Sequence, residues 1–152
     1  MTGRGTLHHV ELWVADLAAA EASLGWLLEE LGWVPERSWP RGRSWRLGET
    51  YVVLESGPDV VEGVHERRRP GLNHLAFRVP TGAEVDALAA AAGRRGWSLL
   101  FADRHPHAGG PEHYAAYLED AAGFEVELVA ESWEAGEQVP SGRAPGRDRR
   151  LT

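Results

Sequence analysis

Hydrophobic and polar side chains alternate in two short segments of the chain that have nearly the same pattern. Residues 9–14 read His-Val-Glu-Leu-Trp-Val, and residues 74–79 read His-Leu-Ala-Phe-Arg-Val, with apolar side chains at every second position. Alternation with a period of two is typical of a strand that buries one face. Both segments are therefore predicted to be half-buried strands, and each begins with a histidine.

The two segments belong to a longer internal repeat. His9 and His74 are 74 − 9 = 65 residues apart, and the Gly-Trp pairs that end at Trp33 and Trp97 are 97 − 33 = 64 residues apart. A nearly constant offset indicates two copies of one supersecondary unit, which must stack to bury a core. The repeat also puts one histidine at the same point of each copy.

Helix and strand signals follow in the same order in both copies. In the first copy, Asp16 is a predicted N-cap, and leucines then recur at helical spacing until Gly32. In the second copy, Thr81 and Glu84 form a predicted capping box before a helix that stops at Gly93. Three short strands are predicted after each helix, at 33–39, 43–47 and 50–55 and at 97–102, 113–118 and 124–130.

This order predicts an α+β fold of two tandem β-α-β-β-β modules that form a curved mixed sheet around a cleft. We expect a single domain over residues 1–133, since the chain is long enough to bury one core. Its predicted parts are module one at 6–56, a linker at 57–71 and module two at 72–131. Residues 134–152 lack apolar periodicity and are predicted to be a mostly disordered tail.

Composition narrows the classes of partner and cofactor. A net charge of −7 disfavours a nucleic-acid binder, and no apolar run approaches a membrane span. The chain also lacks an N-terminal signal pattern, so we expect a cytoplasmic protein with no membrane partner. Because there is no cysteine, any metal must be bound by histidine, carboxylate, carbonyl or water. Seven tryptophans hint at an aromatic pocket.

Strand parity brings several polar side chains to the faces opposite the core. The aliphatic residues of each strand belong on the helix side, so the residues between them point to the other face. Four such side chains would line two facing concave walls and suit a hard or borderline divalent cation: His9, Glu55, His74 and Glu127. The register of one strand leaves an alternative, because a shift of two residues puts Val53 in place of Glu55.

The same alternation indicates a substrate-binding role for a second set of residues. They are Trp13, Arg43, Trp45, His113 and Tyr117. For the three residues of the first copy, Trp13, Arg43 and Trp45, the alternation does not show whether they line a pocket or a dimer interface. The linker around His65 and the arginines at 67–69 is predicted to be solvated, and Glu125 is predicted to be a solvated or substrate-facing charge.

Three motifs of the repeat resemble those of a known superfamily. They are His9-Val10 followed by Asp16-Leu17, Asn73-His74-Leu75, and the closing segment 117–128 with its acidic turn, glycine and apolar-Glu-Leu strand. In these motifs the chain is similar to the vicinal oxygen chelate superfamily. That superfamily includes glyoxalase I, extradiol dioxygenases, fosfomycin-resistance transferases and bleomycin-resistance binding proteins. The resemblance covers about residues 7–131.

The resemblance implies a metal site. It assigns His9, His74 and Glu127 to ligand positions and Glu55 to the fourth ligand of the glyoxalase I pattern. If Val53 holds that fourth position, a three-ligand His-His-Glu site remains. The divalent ion would be nickel, zinc, manganese or iron, and small members of the superfamily imply a homodimer.

Two enzymatic uses and one binding use follow from the resemblance. A glyoxalase-like lyase or isomerase would chelate two neighbouring oxygens of a small substrate and use Glu127 or Glu55 as the catalytic base. An extradiol-type dioxygenase would hold iron on His9, His74 and Glu127. The alternative is a metal-free protein of the bleomycin-resistance type that sequesters an antibiotic or similar drug, which the tryptophans and the negative charge suit. The identity of the substrate is not evident from the sequence.

Overall fold

The computed structural model describes residues 3–133 and 137–138. The chain divides into two compact units, Met1–His65 and Glu66–Thr152, and the boundary lies within the predicted linker. Each unit folds as β-α-β-β-β with its own mixed sheet, so the predicted α+β architecture of two tandem modules is confirmed. Among the described residues, none of the helices has the length and apolar character needed to cross a membrane.

Unit 1 is a four-stranded sheet with one helical segment. Its strands are in the order β1-β4-β3-β2, with β1 parallel to β4 and the remaining pairs antiparallel. Its elements are β1 (His9–Trp13), α1 (Leu17–Ala20), a π-helical turn (Glu21–Gly25), α2 (Trp26–Glu30), β2 (Val34–Trp39), β3 (Gly42–Leu47) and β4 (Thr50–Glu55).

The predicted helix caps of unit 1 are present. The Asp16 carboxylate accepts a hydrogen bond from the amide of Ala19 at 3.1 Å, which satisfies one free donor of the first turn. The helical segment ends before Gly32, whose φ of 88° is the left-handed conformation of a C-terminal cap. The sequence did not predict the π-helical turn that interrupts this segment.

Trp45 fills the space between the helical segment and the sheet of unit 1. Its ring is buried, and its indole N–H donates to Glu29 at 3.0 Å. A Cβ placed on Gly25 would lie 2.7 Å from the Trp45 ring. The glycine therefore allows the π-helical turn to approach the indole closely, which an alanine would not.

Unit 2 repeats this arrangement. Its strands are in the order β5-β8-β7-β6, with β5 parallel to β8, and a short strand pairs with the far end of β8. Its elements are β5 (His74–Thr81), α3 (Gly82–Gly93), β6 (Ser98–Leu100), β7 (Ala115–Glu119), β8 (Glu125–Trp133) and β9 (Glu137–Gln138).

One sequence prediction for unit 2 needs revision, and another falls mostly outside the described residues. The predicted strand at 97–102 is only three residues long, because Phe101 has a φ of 53° and a strand cannot continue through that left-handed conformation. The predicted disordered tail at 134–152 lies outside the described residues except for Glu137–Gln138, which forms β9. By contrast, Thr81 caps α3 as predicted, since its hydroxyl accepts from the amide of Glu84 at 3.2 Å.

Arg67 attaches the start of unit 2 to its sheet, contrary to the prediction of a solvated linker. Its Nε lies 2.8 Å from a Glu119 carboxylate oxygen, and its Nη1 lies 3.0 Å from one of Glu125. Glu125 is buried, which corrects the alternative that it is a solvated charge. Burial raises the pKa of Glu125, and the Arg67 guanidinium opposes that shift. The ion pair therefore compensates a buried carboxylate.

Two glycine-to-alanine variants should separate packing from backbone entropy. Gly25→Ala is expected to lower the free energy of unfolding by about 1–3 kcal/mol, because the new methyl group overlaps a Trp45 ring that Glu29 holds in place. Gly93→Ala is the control, since a Cβ there has no neighbour within 4 Å, and it should be neutral or stabilise by up to about 1 kcal/mol. Urea denaturation measures both, and equal stabilities of the two variants would contradict this packing.

Neighbouring arginines allow a matched test of the buried ion pair. Arg67→Met is expected to cost about 3 kcal/mol of unfolding free energy at neutral pH, because it leaves the buried Glu125 without its cation. The pKa of Glu125 would then rise further above its unfolded value, so the loss should shrink as the pH falls and the carboxyl becomes protonated. Arg68→Met is the control. It removes only the exposed ion pair between Arg68 and Glu66 and should leave the free energy of unfolding unchanged. A pH-independent loss in Arg67→Met would refute this explanation.

Candidate functional site

Three side chains of unit 2 meet around the carboxylate of Glu127. Glu127 Oε2 lies 3.1 Å from His74 Nε2, and Oε1 is hydrogen-bonded to His113 Nε2. Tyr117 is directly opposite Glu127 in the antiparallel pair of β7 and β8, and the two side chains are also hydrogen-bonded. The structure thus brings together the four predicted site residues of the second module, two as predicted ligands and two as predicted substrate contacts.

The position of β8 in the sheet explains this convergence. β8 lies between β5 and β7 in the sheet. Side chains from both neighbouring strands therefore reach the same point on the face of β8 that is turned away from α3. In the parallel pair, His74 is opposite Glu125 and Ala76 is opposite Glu127, which offsets the His74 and Glu127 side chains by two residues along the strands. Val126 and Leu128 point the other way and are fully buried beneath α3.

Glu127 is ionised at all physiological pH values. Burial by itself raises the pKa of a carboxyl group, but the hydrogen bonds from His113, His74 and Tyr117 outweigh that effect and lower the pKa of Glu127 to about 2. Such an acidic carboxylate is a good ligand for a cation and a weak acceptor for a substrate proton. This electrostatic state favours the ligand role predicted for Glu127 over the role of catalytic base.

The partners of Glu127 are all arranged as donors. The hydrogen bond to Glu127 raises the pKa of His74, which favours the imidazolium form in the metal-free protein. Burial, together with the negative charge of Glu127, raises the pKa of Tyr117, so this phenol keeps its proton. On its other side, His74 Nδ1 lies 2.7 Å from the side-chain oxygen of Asn73.

The loop before β7 positions His113. A Cβ on Gly109 would lie 2.5 Å from His113 Cδ2 and 2.8 Å from the Tyr117 hydroxyl, so the loop backbone packs directly on both side chains. His107 Nδ1 is 3.1 Å from the carbonyl of His113 and donates to it. These contacts hold His113 against Glu127 without a regular strand at that position.

The spacing of His74 and Glu127 fits two ligands of one metal ion. Nitrogen and oxygen ligands at about 2.1 Å from a metal, separated by an angle of about 90–110°, are roughly 3.0–3.4 Å apart. The observed distance of 3.1 Å between His74 Nε2 and Glu127 Oε2 falls in that range. Within residues 3–133 and 137–138, however, no three His, Asp or Glu side chains form a ready-made metal cluster. These two donors therefore fit part of a coordination sphere.

His9 occupies the corresponding place in unit 1. It is the first residue of β1, as His74 is of β5, and it is exposed. Its ring stacks on Tyr51 with centroids 4.8 Å apart, and its Nδ1 lies 2.9 Å from Nδ1 of His8. The role of His9 as a metal ligand stays a prediction.

Glu55 does not correspond to Glu127. In unit 1, Glu11 is opposite Val53, as Ala76 is opposite Glu127 in unit 2, so Val53 holds the equivalent position. Glu55 is opposite Trp13, four residues beyond His9, or roughly 13 Å along the strand at about 3.3 Å per residue. Its carboxylate instead accepts a hydrogen bond from the Trp39 indole at 2.8 Å. Of the two registers that the sequence left open, the structure has the one with Val53.

Two predicted substrate contacts in unit 1 lie on the wrong face for that role. Trp45 is opposite Val52 on the side of the sheet that packs against the helices, where it is buried. Arg43 shares that side, and its Nε forms an ion pair with Glu21 of the π-helical turn at 2.7 Å. Only Trp13 shares the His9 face, and it is half exposed, with its indole N–H donating to Glu11. Arg43 and Trp45 are therefore structural.

Comparisons with known proteins agree with this architecture. The sequence pattern of the family Glyoxalase_4, described as the glyoxalase/bleomycin resistance protein/dioxygenase superfamily, matches residues 8–117. YqjT of Bacillus subtilis (strain 168), itself uncharacterised, is 41% identical over 127 residues, which are 83% of this chain and 99% of YqjT. A candidate glyoxalase from Bacillus halodurans is 44% identical, with a TM-score of 0.79 and coverage of 84% of this chain and 96% of that chain.

A more distant crystal structure has the same fold. The fosfomycin resistance protein FosX from Listeria monocytogenes, in complex with Mn(II) and a dihydroxypropylphosphonic acid, is 17% identical with a TM-score of 0.56. The alignment covers 83% of this chain and 90% of FosX. The family match over most of the chain and the close relatives show that this protein belongs to the glyoxalase/bleomycin resistance protein/dioxygenase superfamily, also known as the vicinal oxygen chelate superfamily.

Proposed function

We propose that this protein is a metal-dependent enzyme that acts on a small molecule with two neighbouring oxygen atoms. The observation that carries the proposal is the pairing of His74 Nε2 with the ionised Glu127 carboxylate at 3.1 Å. A divalent cation bound there would supply Lewis-acid stabilisation of the negative charge that forms on a substrate oxygen. Nickel, zinc, manganese and iron all accept such nitrogen and oxygen ligands.

Each residue around Glu127 has a distinct part in this proposal. Glu127 and His74 bind the cation, and the sequence resemblance adds His9 as a further ligand. Tyr117 keeps its proton and donates to Glu127, which orients the carboxylate. His113 is the group best placed to transfer a proton, because an imidazole nitrogen can donate or accept one and Glu127 orients this ring through a hydrogen bond. This assignment replaces Glu127 and Glu55 as the proposed base.

Membership of the superfamily supports an enzyme and leaves the reaction open. Relatives in fold include a lactoylglutathione lyase from Agrobacterium tumefaciens and FosX, which binds Mn(II). The proposed reactions are therefore a glyoxalase-like lyase or isomerase reaction and an extradiol-type dioxygenase reaction. Both require a substrate that chelates the ion through two oxygens.

A metal-free binding protein of the bleomycin-resistance type is the second candidate. The observation that favours it is the complete pairing of Glu127 by protein donors, since three side chains already compensate its buried charge. Such a network is stable without a cation and leaves His113 and Tyr117 to contact a sequestered drug. Metal binding distinguishes the two candidates.

Isothermal titration with zinc, nickel, manganese and iron(II) tests the enzyme proposal on untagged protein. We expect one ion per chain, because His74 and Glu127 provide two strong ligands with the spacing of a single site. His74→Ala and Glu127→Ala should each abolish stoichiometric binding. His105→Ala is the control and should bind normally, since this histidine lies near Asp86, away from the proposed ligands.

The outcomes separate the candidates. If none of the four ions binds the wild-type protein, the enzyme proposal is wrong and the drug-binding alternative stands. His9 is a proposed ligand on the basis of the resemblance alone, and His9→Ala tests it. We expect this variant to bind the metal ion more weakly than the wild type.

A homodimer is part of the proposal, because the resemblance to small members of the superfamily implies one. Sedimentation velocity of the full chain should therefore give a species of about twice the 16.7 kDa chain mass. A monomer with full metal occupancy would contradict this assembly.

A further inference from the structure

The residue before His74 makes two hydrogen bonds that together determine which atom faces the imidazole ring. The Asn73 side-chain nitrogen donates to the backbone carbonyl of Arg67 at 3.0 Å. A carbonyl only accepts, so the amide nitrogen must be on that side, and the amide oxygen must be on the other. That oxygen lies 2.7 Å from His74 Nδ1.

The orientation of the amide dictates where His74 carries a proton. An amide oxygen has no hydrogen to give, so a contact of 2.7 Å with Nδ1 requires a proton on Nδ1. In the metal-free protein Nε2 also carries a proton, which it donates to the Glu127 carboxylate. A bound cation would replace that Nε2 proton, while the Nδ1 proton stays in place and Nε2 presents its lone pair. Nε2 is the atom that faces Glu127, which is the side on which a cation would bind.

The carbonyl that orients Asn73 is itself held in place. The Arg67 side chain is bound to Glu119 at 2.8 Å and to the buried Glu125 at 3.0 Å, and both glutamates belong to the central strands of unit 2. The segment between Arg67 and His74 is therefore fastened to the sheet at its start by the ion pairs and at its end by β5. The hydrogen bond from the Asn73 side chain to the Arg67 carbonyl joins the two ends of this segment.

We propose that Asn73 is a positioning residue for metal binding, which holds the proton of His74 on Nδ1 and directs Nε2 toward Glu127. The inference rests on the proposed function for its consequence, but the location of the proton is a property of the metal-free chain. Hydrogen bonds of this kind to the non-ligating nitrogen of a histidine fix its tautomer and ring orientation, and their loss typically weakens metal binding roughly 10- to 100-fold.

NMR of the metal-free, nitrogen-15-labelled full chain at neutral pH tests the proton location. We expect a hydrogen-bonded His74 Nδ1–H resonance that is protected from exchange with water. In Asn73→Leu, which has a similar volume but no acceptor, this protected resonance should disappear. Absence of an Nδ1 proton in the wild type, or an unchanged protected resonance in Asn73→Leu, would overturn the inference.

Two further variants control for stability and isolate the acceptor. Asn73→Asp keeps an oxygen beside Nδ1 but cannot donate to Arg67, so we expect it to retain the protected resonance. Thr50→Val removes an analogous side-chain bond to the carbonyl of Leu7, 2.9 Å long, at the base of β1 in unit 1. It should leave the His74 resonance unchanged, and thermal unfolding confirms that each variant is folded.

Zinc titration of the same proteins measures the consequence. Asn73→Leu should bind zinc roughly 10- to 100-fold more weakly than the wild type, whereas Asn73→Asp and Thr50→Val should remain within a few-fold. If the wild type binds zinc and Asn73→Leu binds it equally well, the positioning role is refuted while the metal proposal stands. If the wild type does not bind zinc but the NMR result holds, the proposed function fails and the assignment of the proton to Nδ1 survives.

Discussion

The structure of unit 2 depends on the compensation of a buried negative charge at Glu127. A carboxylate removed from water is costly unless donors surround it, and this one has three. Because β8 lies between β5 and β7, His74 approaches from one neighbouring strand and Tyr117 from the other. His113 completes the set from the loop that precedes β7. The same donors that compensate for burial also keep the carboxylate ionised.

A second carboxylate on the same face extends this constraint to the chain that enters the unit. Glu125 is two residues from Glu127, and it is buried as well. Its partner is Arg67, which lies far from it in sequence and must be brought onto the sheet to reach it. The ion pair therefore shapes the segment that leads into β5, and Asn73 uses the carbonyl of that same arginine to orient His74. Fold stability and the orientation of His74 share one set of contacts.

Sequence reasoning succeeded where a pattern is local and failed where it depends on pairing. The helix caps at Asp16 and Thr81 could be predicted because each cap hydrogen bond joins residues only three positions apart in the sequence. Trp45 was predicted to lie on the face of the sheet away from the helices, although the sequence contains a signal that it lies on the helix side. The Gly48-Glu49 turn pairs Leu47 with Thr50, and that register puts Trp45 opposite Val52 on the helix side. The prediction that Arg67 is solvated failed, because the residues around Arg67 in the sequence do not show that the distant, buried Glu125 needs a cation.

The sequence by itself determined the duplicated β-α-β-β-β units, the faces of the strands that carry His74 and Glu127, and membership of the superfamily. These features follow from periodicity, caps and spacing, which act over a few residues. Only the tertiary structure decided that Val53 and not Glu55 matches Glu127, and that Asn73 orients His74. Those outcomes depend on strand register and on contacts between residues distant in sequence, because a hydrogen bond forms only when the folded backbone brings donor and acceptor within about 3 Å.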